Sequence, residues 1–358
     1  MRRSLVVCLV LLSFTACKKS STGPGTGDDD MGTPDAPATT PGGATYSLQW
    51  GPSTIMNGIE DTQCVILNLG NTDEIKVHEI HDMLSPFSHH MIVYKDDMDT
   101  TEVTTPVDCQ PFTGALNTTG MIQPLTITQK MNDDVVLPDG VAYTFHPNQM
   151  IKIELHYINT GDVPAPLMGN VTFVSADAST IMAEAGLLFT GSPDIGCNDP
   201  GCGDINGNGS ATLHEFFTVP PEIDLSQAHI FAITGHEHHL GTGVTVNEAD
   251  TPTGTLKPVY NPSNFLWSEP PTQEQSPDFS VPKGGGFDFT CTWFSNDGAT
   301  VKFGESANDE MCFFWAYYWP ATGSEVCVHT NQANEANVQD LCCPSSNSLC
   351  ALLPIILK

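Results

Sequence analysis

Arginine is almost missing from this chain of 358 residues: Arg2 and Arg3 are its only two. Setting those two aside leaves ten lysines against 42 acidic residues, a formal charge of −32. A surface of that sign has no basic face for phosphates, so nucleic acid is excluded as a partner. With no arginine beyond residue 3, no bidentate guanidinium clamp for a carboxylate can be built. Long apolar runs are missing too. The longest, LVVCLVLLSF, has ten residues, half of the roughly 20 a membrane-spanning helix needs. No long stretch repeats its apolar residues at a helical period, and no paired CxxC spacing suggests a thiolate zinc site.

What is present begins with a basic start, that short apolar run, and Thr15-Ala16-Cys17, the order of a lipoprotein signal with Cys17 as the acylated residue. Residues 18–45 are rich in Gly, Pro, Ser, Thr and Asp and read as a disordered spacer. The expected protein is therefore exported and lipid-anchored to a bacterial envelope membrane, the outer one by preference. Setting Cys8 and Cys17 aside, ten of the twelve cysteines remain. An even number in an exported chain favours a disulfide framework. Cys197 and Cys202 form a plausible local bridge, and Cys327, Cys342, Cys343 and Cys350 are expected to pair among themselves.

From Tyr46 onward, short β-prone runs such as CVILNL, HHMIVYK, MIKIELHYI and AHIFAITG alternate with turn clusters. Many short strands separated by turns predict antiparallel sandwiches. We expect an all-β fold of two tandem sandwich domains, 46–176 and 177–320, followed by a Cys-rich extension at 321–358.

The chemistry-bearing residues are histidines. His236 and His238 lie two apart in a strand-like run, so their side chains share a face. Alone, this pair is as readily a surface pair as half of a metal site. His89 and His90 are adjacent and would face opposite ways on a regular strand; a bulge could re-aim one ring. His156 sits on the face of MIKIELHYI that also carries Lys152 and Glu154, opposite Ile151, Ile153 and Leu155. Three imidazoles suit copper or zinc. Met311 would by default be core filler, His239 a structural residue, and His78 and His81 solvated loop residues.

EDTQC (60–64), SHHMIVY (88–94), IELHY (153–157), HIFAITGHEHHLG (229–241) and NDEMC (308–312) occur in order and at the approximate spacing of one family. Together they resemble the copper type II, ascorbate-dependent monooxygenases, the peptidylglycine and dopamine hydroxylases, over roughly residues 45–320. The resemblance implies jelly-roll-like domains. It implies one copper on His89, His90 and His156 and a catalytic copper on His236, His238 and Met311, where the thioether favours Cu(I) over zinc. It also implies disulfides Cys64–Cys109 and Cys291–Cys312, O₂ and a small-molecule substrate as reactants, and an ascorbate-like reductant. His229 matches a family histidine that is not a ligand. Thr234 stands where the peptide hydroxylases place an arginine, and Phe313, Phe314 and Trp315 replace polar pocket residues. The expected substrate is therefore non-peptide, uncharged or cationic, with an apolar body. A copper-binding protein without turnover is the alternative.

Asp204–Glu215, DINGNGSATLHE, fits the spacing of an EF-hand loop. Asp204, Asn206, Asn208, Ser210, Thr212 and Glu215 would be the calcium ligands. An Asn/Gly-rich hairpin loop is the alternative.

Overall fold

The computed structural model describes residues 42–109, 120–196, 205–206, 209–296, 298, 300–304, 306–321, 323–331, 339–344 and 350. Strand is the dominant regular structure of the described residues, with two short 3₁₀ turns and no α-helix among them. All of them lie in one compact unit, Thr39–Lys358.

The N-terminal half is a sandwich of two sheets. One runs in the order Thr45–Ile55, Ala165–Ala176, Ile75–Leu84, Val141–Phe145 and Ala183–Glu184, with Asn132–Val136 also pairing on Ile75–Leu84. The other runs Val103–Asp108, Glu60–Asn68, Met150–Ile158, Ser88–Asp96 and Ile122–Thr128. The C-terminal half stacks a six-stranded sheet on a four-stranded one. The larger has the order Thr272–Phe279, His229–His236, Cys312–Trp319, Gly186–Ser192, Glu325–His329 and Asp340–Cys343. The smaller has Gly209–Thr218, Gly286–Ser295, Gly241–Ala249 and Lys257–Tyr260.

One strand explains how the halves meet. Along Ser88–Asp96, successive side chains alternate faces. Met91 and Val93 enter the first sandwich's core, while Ile92 and Tyr94 join the core of the second. This sheet is covered on both sides, which is why HHMIVYKD is buried almost throughout. On the neighbouring Met150–Ile158 strand, Ile151, Ile153 and Leu155 fill the first core. Glu154 and His156 take the other face, and the Tyr94 hydroxyl donates to the Glu154 carboxylate at 2.9 Å.

Ala183–Glu184 still pairs, in parallel, with Val141–Ala142, and Gly186 opens the next sheet. The segment after Pro320 is not a mere appendage. Its strand Glu325–His329 adds in parallel to Gly186–Ser192, inside the main C-terminal sheet.

Candidate metal centre

The first cluster is built by an irregular ladder. Ser88 pairs with Tyr157 but His90 pairs with His156, so two steps along one strand oppose one step along the other. The extra residue is His89, on a bulge of the kind that re-aims a side chain. Phe87, just before it, holds a positive φ of 74°. The bulge turns both adjacent imidazoles to one side. Ring centroids of His89, His90 and His156 lie 5.0–5.3 Å apart. His89 Nδ1 and His90 Nδ1 are 3.1 Å apart. One shared proton gives that separation, and so do two ligands of one metal at ~2.0–2.1 Å, whose nitrogens stand about 2.9–3.4 Å from each other. The Nε2 of His156 is engaged by Glu60 Oε1 at 3.0 Å, leaving its Nδ1 buried without a hydrogen bond. Each of the three rings offers a ligand nitrogen within 4.8 Å of the others.

The second cluster follows from alternation. His236 and His238 point into the pocket. Glu237 points away, accepting from the backbone N–H groups of Gly243 and Thr292. His236 Nδ1 meets Gln129 Oε1 at 2.8 Å, and His238 Nδ1 meets the Asp309 carbonyl at 3.0 Å. Both Nε2 atoms are buried without a hydrogen bond. Glu310 fixes the turn behind them, accepting from His238 N–H, Leu240 N–H and the Trp293 indole at 2.8–3.0 Å. Met311 is 3 % exposed and immediately precedes the strand on which Phe313 pairs with His236. The Cys291–Cys312 disulfide joins this strand to the opposite sheet.

The two clusters are one. His89 lies 5.5 Å from His238 and His90 lies 6.4 Å from His236, centroid to centroid. Trp267 stacks on His89 at 5.9 Å, and its carbonyl accepts from the Gln129 amide. All five imidazoles are buried. Burial, then repulsion from neighbouring rings, pushes His89, His90 and His236 well below the usual histidine range. Burial holds His238 down to about 4. His89, His90, His236 and His238 are therefore neutral at physiological pH, the form a metal binds. Buried ring nitrogens lacking a hydrogen bond, opposite nitrogens anchored by an outer partner, are the arrangement of metal-ligating histidine.

Sequence reading missed the anchors. Glu60 lay within the EDTQC motif without a role, and the hydrogen bond to His156 pulls its carboxyl down to about 2. Glu310 likewise lay within the NDEMC motif without a role, and Gln129 carried no signal that spacing could detect.

The remaining expected residues divide. Cys64–Cys109 and Cys291–Cys312 are bonded, and so are Cys327–Cys342 and Cys343–Cys350. Cys17, Cys197 and Cys202 lie outside the described residues. The calcium loop does not form around its last ligands. Ser210, Thr212 and Glu215 all lie on the strand Gly209–Thr218, where Thr212 and Glu215 face opposite ways. Both oxygens of Glu215 accept from Asn331, and one also meets His329 Nε2 at 3.1 Å. Asp204 and Asn208, and the side chain of Asn206, lie outside the described residues. His78 and His81 are on a strand rather than a loop, with His81 held by Asp134. His229 stacks on Trp319 at 3.9 Å, away from the metal pocket, and His239 bonds the Ala307 carbonyl.

A cavity of about 420 Å³ opens on the same sheet face as His236. Phe231, Trp315, Tyr317 and Ile127 form its apolar walls, and Asp133, Asp134 and Glu274 bring acid to it. Trp315 lines this cavity and lies 6.1 Å from the His236 ring.

Residues 215–339 match the family described as copper type II ascorbate-dependent monooxygenase, C-terminal domain. The match takes in His236, His238 and Met311, and it runs past Pro320, where the short motifs had suggested that the resemblance ends. No curated protein matches the chain. Among solved structures, one of infectious bursal disease virus, Gx strain, aligns at 9 % identity over 81 % of this chain and 75 % of that one, with TM-score 0.14. The mosquito-larvicidal Cry4Aa toxin of Bacillus thuringiensis aligns at 8 % identity over 71 % and 53 %, with TM-score 0.13. The Lactobacillus farciminis oxalate decarboxylase formate complex aligns at 10 % identity over 80 % and 84 %, with TM-score 0.14. At such TM-scores these three carry no argument about fold or function.

Proposed function

Starting from the similarity of residues 215–339 to that monooxygenase domain, we propose that this protein is an exported copper-dependent monooxygenase. It hydroxylates a C–H bond of a small, apolar, non-peptide substrate with O₂ and a one-electron reductant such as ascorbate. The observation that carries the proposal is the single buried pocket of five imidazoles, in which His156, His236 and His238 each have one ring nitrogen anchored and the other buried without a hydrogen bond. His89, His90 and His156, the last through Nδ1, would hold one copper, and His236 and His238, through Nε2, would hold the second with Met311. Bound there, copper would supply one-electron transfer and O₂ activation.

The chain's own part is positioning and exclusion of water. Glu60, Gln129 and the Asp309 carbonyl fix which nitrogen of His156, His236 and His238 is free. Trp267 and the packed strands cover the pocket. The neighbouring cavity, with aromatic walls and no lysine in its lining, suits an apolar body that is uncharged or cationic. An anion would meet Asp133, Asp134 and Glu274 with no guanidinium to hold it.

Four disulfides among the described residues accord with an oxidising compartment. In the same proposal, Cys17 carries the lipid anchor.

The test is oxygen consumption by copper-loaded protein with ascorbate and a panel of apolar compounds. Turnover that needs both copper and ascorbate, and that vanishes in His236→Ala, supports the proposal. Copper uptake without ascorbate-driven oxygen consumption would make the protein a copper binder instead.

A further inference from the structure

One carboxylate joins the two halves of the metal pocket. Glu60 stands on a strand of the N-terminal sandwich, beside the strand that carries His156. Its Oε1 meets His156 Nε2 at 3.0 Å and accepts from the Ala307 N–H at 2.7 Å. Its Oε2 accepts from the Ser306 hydroxyl at 3.2 Å. Ser306 and Ala307 belong to the C-terminal half, 246 and 247 residues away in sequence. They open the short loop that leads to Met311. In that loop the Asp309 carbonyl holds His238 Nδ1, the Ala307 carbonyl holds His239 Nδ1, and Glu310 clamps the backbone at His238 and Leu240. A continuous chain of hydrogen bonds therefore runs from a ring of the first cluster, through Glu60, to the loop that sets a ring of the second.

We propose that Glu60 is a positioning residue for both metal positions, a latch that fixes His156 directly and His238 and Met311 through the Ser306–Met311 loop. This rests on the metal pocket proposed above. Toward His156, Glu60 holds the Nε2 proton and leaves Nδ1 as the ligand atom, and a carboxylate in that role makes the imidazole a stronger ligand. Toward the loop, it supplies acceptors for one backbone N–H and one hydroxyl that otherwise end at the junction. A residue with no metal-contacting atom of its own thereby governs two sites on different sandwiches.

Glu60→Ala and Glu60→Gln separate the two actions. Glutamine keeps an acceptor at Oε1 for both His156 and Ala307 but loses the charge; alanine loses everything. Full-length protein is titrated with Cu(I) against a chromophoric chelator to resolve two affinities, and the Cu(II) form is examined by electron paramagnetic resonance. Glu60→Ala is expected to weaken both sites about 10–100-fold, the usual consequence of losing an outer-shell partner. Glu60→Gln is expected to weaken the first site alone and to alter its hyperfine signature, with the second site at wild-type affinity.

Glu60→Ala that leaves the second affinity unchanged overturns the latch. If the alanine variant fails to fold, Ser306→Ala cuts the link from the other side. The second site is then expected to weaken severalfold, and no change overturns the proposal. Wild-type protein that takes up no copper overturns the metal pocket itself, a result distinct from two normal sites that ignore Glu60.

Discussion

Each histidine of the pocket with a resolved outer partner uses one ring nitrogen for it and leaves the other buried and bare. His156 gives Nε2 to Glu60, whereas His236 and His238 give Nδ1 to Gln129 and to Asp309. His156 therefore presents Nδ1, whereas His236 and His238 present Nε2. Gln129 is the sharper test of that division, because it reaches from the N-terminal half to a histidine of the C-terminal half. Gln129→Leu is expected to weaken Cu(I) binding at the His236 position about 10–100-fold. The His89, His90 and His156 position should keep its affinity; equal loss at both in a chelator competition would refute the assignment. Met311 offers a second test. Met→Ala would open a cavity at a cost of ~2–5 kcal/mol and confuse binding with stability, so the volume-conserving Met311→Leu is preferable. Wild-type protein is expected to retain two coppers after ascorbate reduction and the leucine variant close to one, because the soft thioether selects Cu(I). Retention of both would return Met311 to core filler.

At the level of strands, the pocket depends on a departure from regularity that alternation could flag but not locate. Adjacent histidines cannot share a face on a regular strand, so His89-His90 demanded a bulge if both were ligands. Where the ladder slips, between Ser88 and His90 against Tyr157 and His156, is decided by packing between strands distant in sequence. A related limit applies to the EF-hand spacing. Spacing of Asp, Asn and Glu describes candidate ligands, but pairing with Gly286–Ser295 pulled Ser210–Glu215 into a strand and gave Glu215 to Asn331 and His329. That contact belongs to a clasp. His329 lies between Glu215 and Asp340, Thr330 donates to Asp194, and the late strand Glu325–His329 is tied to its sheet. Burial pulls the His329 imidazolium down, but its hydrogen bonds to Asp340 and Glu215 outweigh this and carry it up to about 9. A folded value above the unfolded ~6.5 means that the folded state holds the proton more tightly. Its stabilisation, on the order of 3 kcal/mol, is full below pH ~6.5 and lost as pH rises through about 9. The difference in stability between wild type and His329→Gln, from denaturant melts, is expected to shrink from pH 6 to pH 10. A constant difference would mean that the clasp acts by packing and not by charge.

On the scale of the whole molecule, the strand alternation made the all-β fold readable, and five short motifs in order made the monooxygenase resemblance readable. That the two histidine clusters share one pocket was not readable. It follows from the two-faced strand Ser88–Asp96, whose Ile92 and Tyr94 insert into the second core while Met91 and Val93 hold the first. No local pattern says what lies opposite an outward-facing apolar residue. The shared pocket carries a thermodynamic consequence. A ligand that binds only the folded state stabilises it by RT ln(1 + [L]/Kd), about 2.7 kcal/mol at a hundredfold excess over Kd for one site. If each sandwich held its copper alone, metal would stabilise each half separately and calorimetry would resolve two transitions that shift independently. With His89 against His238 and His90 near His236, neither cluster survives when either sandwich opens, so both binding terms act on one event. Copper-loaded protein is expected to melt in a single transition, well above the metal-free protein, and a strong chelator should return it to the metal-free value. Resolved transitions, only one of them sensitive to copper, would mean that the sandwiches part while a site stays intact, and that the pocket is shared in position but not in energy.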